Sequence, residues 1–79
     1  MASVSVEDGV MQEIALVCAV DRGAVREQAL VVEYGVDSLR AMEMIAALEE
    51  RYGIVIDDRD VARVRTVRDV IELVHDRLA

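Results

Sequence analysis

Residues 35–53 read GVDSLRAMEMIAALEERYG, and this stretch decides the fold because it contains a complete amphipathic helix with a signal at each end. Asp37 and Ser38 are both suitable residues to cap the start of a helix, and Gly53 is of the type that commonly follows a helix end. The residues between them carry an apolar stripe at helical spacing, made of Ala41, Met44, Ile45, Leu48 and Tyr52. The spacing predicts a helix that starts at Asp37 or Ser38 and packs one face on a core.

A second apolar line runs along the same helix and consists of Leu39, Met42 and Ala46. This line is either a widening of the buried face, as core helices often show, or an exposed docking strip bordered by carboxylates. Methionine suits a surface that meets several partners. Residues 33–50 contain five acids and one base, whereas residues 51–79 contain six of each, so the acidic charge is centred on this helix.

The flanking sequence predicts a helix on each side. The first starts near Val6 and ends before Gly23, and its apolar residues at helical spacing are Val10, Ile14, Val17 and Cys18. The last is capped by Thr66, and its stripe is the clearest in the chain, with apolar residues at Val67, Val70, Ile71, Val74 and Leu78.

The remaining segments predict loops and one short helix. Residues 21–37 have mixed polarity and read as a long loop packed on the core, and DRDVARV at 58–64 allows a short helix. IVID at 54–57 alternates like a strand but has no second strand to pair with, so we expect a loop with Ile54 and Ile56 turned inward. The predicted fold class is all-α, a small four-helix bundle with a long loop between helices one and two and a short third helix.

Length, charge and cysteine content exclude several classes of protein. The chain has 79 residues, which predicts a single domain over residues 1–79. Its net charge of −7 excludes nucleic acid as an expected partner, and its single cysteine excludes an internal disulfide or a cysteine-rich metal site. The longest apolar run is too short to span a membrane, and the N-terminus lacks the positive charge of a signal peptide. We therefore expect a cytoplasmic, standalone monomer.

The junction formed by Gly35, Asp37, Ser38 and Leu39 resembles the attachment site of acyl carrier proteins. The similarity continues through MEMIAALEERYGI and RTVRDVIELV and covers most of residues 10–78. It implies that a phosphopantetheinyl transferase moves 4'-phosphopantetheine from coenzyme A onto Ser38, with Asp37 serving in recognition by the transferase. The thiol of that arm then carries acyl groups as thioesters, and the chain itself is not an enzyme.

The same resemblance implies a docking surface for acyl-loading and condensing enzymes that carry basic patches. Its residues would be Leu39, Met42, Glu43, Glu49, Glu50 and Ile56, and the acyl chain would lie along Met44 and Ile45. Carriers of fatty-acid synthesis usually differ from this chain where it has Arg40, Asp57, Arg59 and Arg63. These departures favour a dedicated polyketide-type pathway over housekeeping fatty-acid synthesis. A peptidyl carrier is disfavoured because no Gly-Gly pair precedes Ser38.

Other interpretations compete with the carrier hypothesis. The chain could be an acidic helical interaction module without a cofactor, in which Ser38 is only a helix cap. A catalytic triad of Ser38, His75 and an aspartate is not expected, since nothing in the sequence brings His75 near Ser38. We expect His75 to be a solvated surface residue, Cys18 to be a buried and inert thiol, and no metal to be bound.

Overall fold

The computed structural model describes residues 5–79 and confirms the predicted all-α class. Four α-helices follow in chain order, and we name them α1 (Val6–Cys18), α2 (Ser38–Tyr52), α3 (Asp58–Val61) and α4 (Val67–Leu78). Helix α3 is shorter than the predicted 58–64 because turn-type hydrogen bonds replace the helical pattern, as in the Arg63 N–H to Asp60 carbonyl bond of 3.1 Å. The only strand-like pairing within residues 5–79 is an isolated bridge between Leu30 and Thr66.

The core is built from the apolar stripes of α1, α2 and α4. Its fully buried side chains are Val10, Ile14, Met44, Leu48, Val67, Val70, Ile71 and Val74. The stripe predicted for α4 is thus confirmed at four positions, but the prediction is wrong for Leu78, which is 45% exposed. Leu78 lies in the last turn of α4, beyond Val74, which is the last residue of that helix in the buried core.

The loop between α1 and α2 is tied to the beginning of α4 by backbone hydrogen bonds. The Val31 N–H donates to the Arg65 carbonyl and the Val67 N–H donates to the Ala29 carbonyl, both at 2.9 Å. The Tyr34 hydroxyl closes the loop on itself, since it donates to the Ala24 carbonyl at 3.0 Å. The predicted long loop is therefore present, and it is a fixed part of the fold with two short 3₁₀ turns, Arg22–Ala24 and Val31–Tyr34.

Helices α1 and α2 approach closely at one end of the bundle. A Cβ atom at Gly9 of α1 would overlap the Tyr52 hydroxyl of α2, so only glycine allows this contact. Helix α2 then ends at Gly53, whose φ of 62° is in the left-handed region that favours glycine. The following loop turns inward as predicted, with Ile56 buried and Ile54 half-buried.

Asp69 organises the start of α4. Its carboxylate accepts the backbone N–H groups of Thr66 and Arg65, both at 3.0 Å, and the Thr66 hydroxyl accepts the Asp69 N–H at 3.1 Å. The hydrogen bonds from Thr66 and Arg65 hold the pKa of the Asp69 carboxyl below its ordinary value. The Arg65 carbonyl also accepts the Val31 N–H, so this capping box supports the point where the long loop meets the start of α4.

We predict that Asp69→Asn lowers the free energy of unfolding at pH 7 by about 1 kcal/mol, since it weakens a helix cap. A carboxyl whose pKa is lowered by folding stabilises the fold fully above its unfolded pKa, about pH 4, and this stabilisation is lost as pH falls through the folded pKa. The variant should therefore lose less stability than the parent protein between pH 7 and pH 3.

Urea denaturation at the two pH values measures both effects. Glu72→Gln is the matched control, because Glu72 lies on the same helix and, within residues 5–79, its carboxylate pairs with Arg68 alone, at 3.4 Å. An Asp69→Asn variant with the same pH dependence as the parent would show that the Asp69 carboxylate does not contribute to acid sensitivity.

Candidate functional site

Ser38 is the first residue of α2, and the structure decides which residue caps this helix. The Asp37 backbone is extended, and its carboxylate accepts the Arg40 N–H at 2.9 Å. Asp37 is therefore the N-cap, and Ser38 is not. The exposed Ser38 hydroxyl takes no part in capping and is available for chemistry.

The surroundings of Ser38 suit a phosphate ester. A helix N-terminus presents backbone N–H groups that have no partner within the helix, and α2, with 15 residues, has a substantial dipole whose positive end lies at Ser38. Asp37 places a negative charge beside that position, but its capping bond turns one oxygen toward the helix. The residues present thus fit a phosphate carried on the serine oxygen.

The outward face of α2 carries a mixed apolar and acidic surface. We name it the α2 strip, and it consists of the exposed residues Leu39, Met42, Glu43, Ala46 and Glu50. Leu39 is 67% exposed and Met42 is 69% exposed, so the second apolar line is not a widening of the core face. None of the ion pairs within residues 5–79 involves Glu43 or Glu50, and their charges remain available to a partner.

Two further residues of the predicted docking surface lie beside the strip rather than on it. Ile56 is buried, at 7% exposure, and Glu49 is half-buried. The Glu49 carboxylate accepts the Ile56 N–H at 2.9 Å and so holds the loop that follows α2. Glu49 and Ile56 line one cleft together with Met42 and Ala46 of the strip, a placement that depends on how the chain returns after Gly53.

An apolar groove opens beside Ser38, between α2 and α3. It consists of two adjoining clefts of about 360 and 440 Å³, and both are lined by Ser38, Ala41, Ile45 and Val61. The first cleft is also lined by the buried residues Val31 and Met44, the half-buried residues Val36 and Val64, and the exposed residues Val32 and Asp37. The sequence pointed to Met44 and Ile45, but the walls from α3 and the long loop come from distant segments that only folding brings together.

Cys18 and His75 are not among the residues that line the two clefts beside Ser38. Cys18 is half-buried rather than fully buried, and burial raises the pKa of its thiol. His75 is exposed as predicted, and its Nε2 lies 3.1 Å from a carboxylate oxygen of Glu7. None of the hydrogen bonds in residues 5–79 joins His75 to Ser38, and no triad forms there.

Residues 5–79 contain neither a metal-binding cluster nor a membrane-spanning helix. No group of three or more His, Cys, Asp or Glu side chains in residues 5–79 is arranged to hold a metal ion. No helix in this part of the chain combines the length and the apolar character needed to cross a membrane.

Comparison with known proteins supports a carrier assignment. Residues 8–74 match the family model described as "Phosphopantetheine attachment site". The acyl carrier protein of Nitratidesulfovibrio vulgaris strain DP4 is 38% identical over 74 residues, which cover 92% of this chain and 97% of that protein. Among solved structures, the hexanoyl form of the acyl carrier protein from the actinorhodin polyketide synthase of Streptomyces coelicolor is similar, with a TM-score of 0.79 at 29% identity over 99% of this chain and 95% of that one.

These matches define the class first: a helical carrier domain that bears a phosphopantetheine attachment site. The holo form of the actinorhodin acyl carrier protein of S. coelicolor matches with a TM-score of 0.73 at 29% identity, over 99% of this chain and 95% of that one. The chain belongs to the acyl carrier protein family. As a member of this family it is a carrier protein, its cofactor is 4'-phosphopantetheine, and it interacts with partner enzymes.

The capping geometry predicts that two neighbouring substitutions change the free energy of unfolding by different amounts. Asp37→Ala removes the carboxylate that accepts the Arg40 N–H, and should lower the free energy of unfolding by about 1 kcal/mol. Ser38→Ala removes an exposed hydroxyl that makes no cap, and should change stability by less than about 0.5 kcal/mol. Thermal and urea unfolding of both variants measure the difference. A larger loss in Ser38→Ala than in Asp37→Ala would show that the serine is the cap.

Proposed function

We propose that 4'-phosphopantetheine is attached to the hydroxyl oxygen of Ser38. The observation that supports this most directly is the exposed hydroxyl at the first residue of α2, which Asp37 leaves free by capping the helix itself. In the transfer step, the serine oxygen forms a bond to the phosphorus that bears pantetheine, the bond to the bridging oxygen of coenzyme A breaks, and the adenosine bisphosphate leaves. The serine proton passes to a base of the transferase.

Each nearby group has a defined role in this proposal. The N–H groups at the start of α2 face the phosphate, and the dipole of the helix favours its negative charge. Asp37 keeps the first turn in place and presents its carboxylate to the transferase. The arm supplies a terminal thiol that carries acyl groups as thioesters, and the rest of the chain determines where that thiol is presented.

The α2 strip is the proposed docking surface for partner enzymes with basic patches. Its exposed leucine and methionine supply apolar contacts, and the unpaired carboxylates of Glu43 and Glu50 attract positive charge. Exposed charge pairs are individually weak and are screened by salt. Such a surface binds partners and releases them quickly, as a carrier that serves several enzymes in turn requires. Glu49 and Ile56 contribute by shaping its base.

The groove between α2 and α3 is the proposed resting place of the acyl chain. It begins at Ser38, its walls are mainly apolar, and Met44 lies in its inner part. An apolar chain gains about 25 cal/mol for each Å² of surface removed from water, which favours its insertion. We further propose a polyketide-type pathway, and support comes from the departures at Arg59 and Arg63 and the similarity to the actinorhodin carrier.

Attachment at Ser38 is tested by intact-protein mass spectrometry. The purified chain is incubated with coenzyme A and a broad-specificity phosphopantetheinyl transferase, and Ser38→Ala is the control. We expect a gain of one phosphopantetheine in the parent protein and none in the variant. A gain in Ser38→Ala would place the arm on another residue, and no gain in the folded parent with several transferases would favour a cofactor-free interaction module.

Docking through the α2 strip is tested by removing its two free acids together. We expect Glu43→Gln with Glu50→Gln to raise the KM of the transferase for the carrier about fivefold at low salt, because each exposed pair contributes about 0.5 kcal/mol. The increase should become smaller at high salt. The measurement is the transfer rate against carrier concentration at two ionic strengths.

The matched control for this experiment is Glu72→Gln with Asp76→Asn, which removes the same charge from exposed positions on α4. An equal rise in KM for both double variants would mean that overall charge, rather than the α2 strip, attracts the transferase. An unchanged KM in the α2 double variant would exclude Glu43 and Glu50 from the docking surface.

A further inference from the structure

A basic side chain from another helix contacts the C-terminal end of α1. The last turn of α1 contains no basic residue, although its carbonyl groups form the negative end of the helix dipole. Ala19 and Val20 cap this end with their backbone N–H groups, which donate to Ala15 and Leu16. The Val17 carbonyl accepts a hydrogen bond from the guanidinium of Arg40, which belongs to the first turn of α2.

Arg40 is therefore fixed at two points. Its backbone N–H donates to the Asp37 carboxylate, and its side chain reaches the end of α1. The charge of Arg40 also acts on the neighbouring Cys18, where it opposes the increase in thiol pKa caused by burial. Since Arg40 follows Ser38 by two residues, this side chain attaches the turn that carries the serine to α1.

A second arginine holds the opposite end of the same helix pair. The Arg51 guanidinium donates to the Gly9 carbonyl at 3.3 Å and to the Gln12 side chain at 3.2 Å. It also lies 3.7 Å from a carboxylate oxygen of Glu13. Arg40 and Arg51 are eleven residues apart, close to three helical turns, so both lie on the flank of α2 that faces α1.

We propose that Arg40 is a positioning residue for Ser38: by binding the end of α1, it holds the first turn of α2 in the conformation that the transferase recognises. This inference rests on the proposed attachment at Ser38. Arginine suits the role because its guanidinium is always charged and offers several donors in a fixed plane. A lysine can supply one such bond from a more flexible side chain.

Loss of the Arg40 side chain should let the first turn of α2 open more often. The transferase binds only the ordered turn, so its apparent affinity falls in proportion to the ordered fraction, which raises KM and leaves kcat unchanged. If Arg40 acted only through its charge, its loss would change KM in the opposite direction. Removing a positive charge beside the acidic α2 strip would strengthen attraction to a basic transferase and lower KM. The direction of the KM change therefore distinguishes the two mechanisms.

The test compares Arg40→Gln, Arg40→Lys and Arg51→Gln. For Arg40→Gln we expect KM to rise about fivefold with kcat unchanged, which corresponds to an ordered fraction of about one fifth. The amide hydrogens of residues 40–42 should then lose most of their protection and exchange at close to the rate of an unstructured chain. Arg40→Lys should recover part of both effects. Arg51→Gln removes the contacts that join the C-terminal end of α2 to α1. It should destabilise the fold comparably but leave KM and exchange at residues 40–42 unchanged.

Three outcomes would overturn the proposal. They are an unchanged or lowered KM in Arg40→Gln, unchanged exchange at residues 40–42 in that variant, and an equal rise in KM for Arg51→Gln. Circular dichroism confirms that each variant is folded. If the parent protein is not modified at all, the attachment at Ser38 fails instead, and the exchange measurement alone decides whether Arg40 orders the first turn.

Discussion

Burial of Met44 and Leu48 fixes the rotation of α2 about its own axis, and the arrangement of the site depends on that rotation. Both side chains belong to the same core cluster as Ile14 of α1 and Ile71 of α4. With 3.6 residues per turn, this anchoring turns the α2 strip outward to solvent. The same rotation directs one flank of α2 to the groove and the other to α1. A single helix thereby supplies the proposed attachment point, the proposed docking face, one wall of a groove and the two arginine contacts with α1.

Asp37 and Ser38 have different roles because Asp37 lies just before the start of α2 and Ser38 is its first residue. Asp37 has an extended backbone and a carboxylate that reaches the Arg40 N–H, so it satisfies the start of the helix. Ser38 is already part of the helix, and its exposed hydroxyl takes no part in capping. If the serine were the cap, its oxygen would be occupied by a backbone donor. Capping by the preceding aspartate is thus what leaves a small nucleophile free at a helix N-terminus.

Charge is distributed so that the arginines and the free acids serve different purposes. Arg22, Arg51, Arg68 and Arg77 each pair with an acid on another segment and tie elements together. Arg40 adds a contact between α2 and α1 that does not consume an acid. Glu43 and Glu50 remain outside these pairs, so α2 keeps a negative outward face.

The sequence alone determined the four helices, their apolar stripes and the candidate serine. Periodic burial and end signals are local properties, and a helix is defined by contacts between residues three and four apart. The choice of Asp37 over Ser38 as the cap is local, but both residue types are favoured caps, so only the structure decided it. Tertiary structure decided that Leu39 and Met42 are exposed and that Leu78 lies beyond the core. It also decided the groove walls at Val61 and Val64 and the partner of Arg40. These features join residues that are far apart in the chain, and no local pattern records which distant segments will meet.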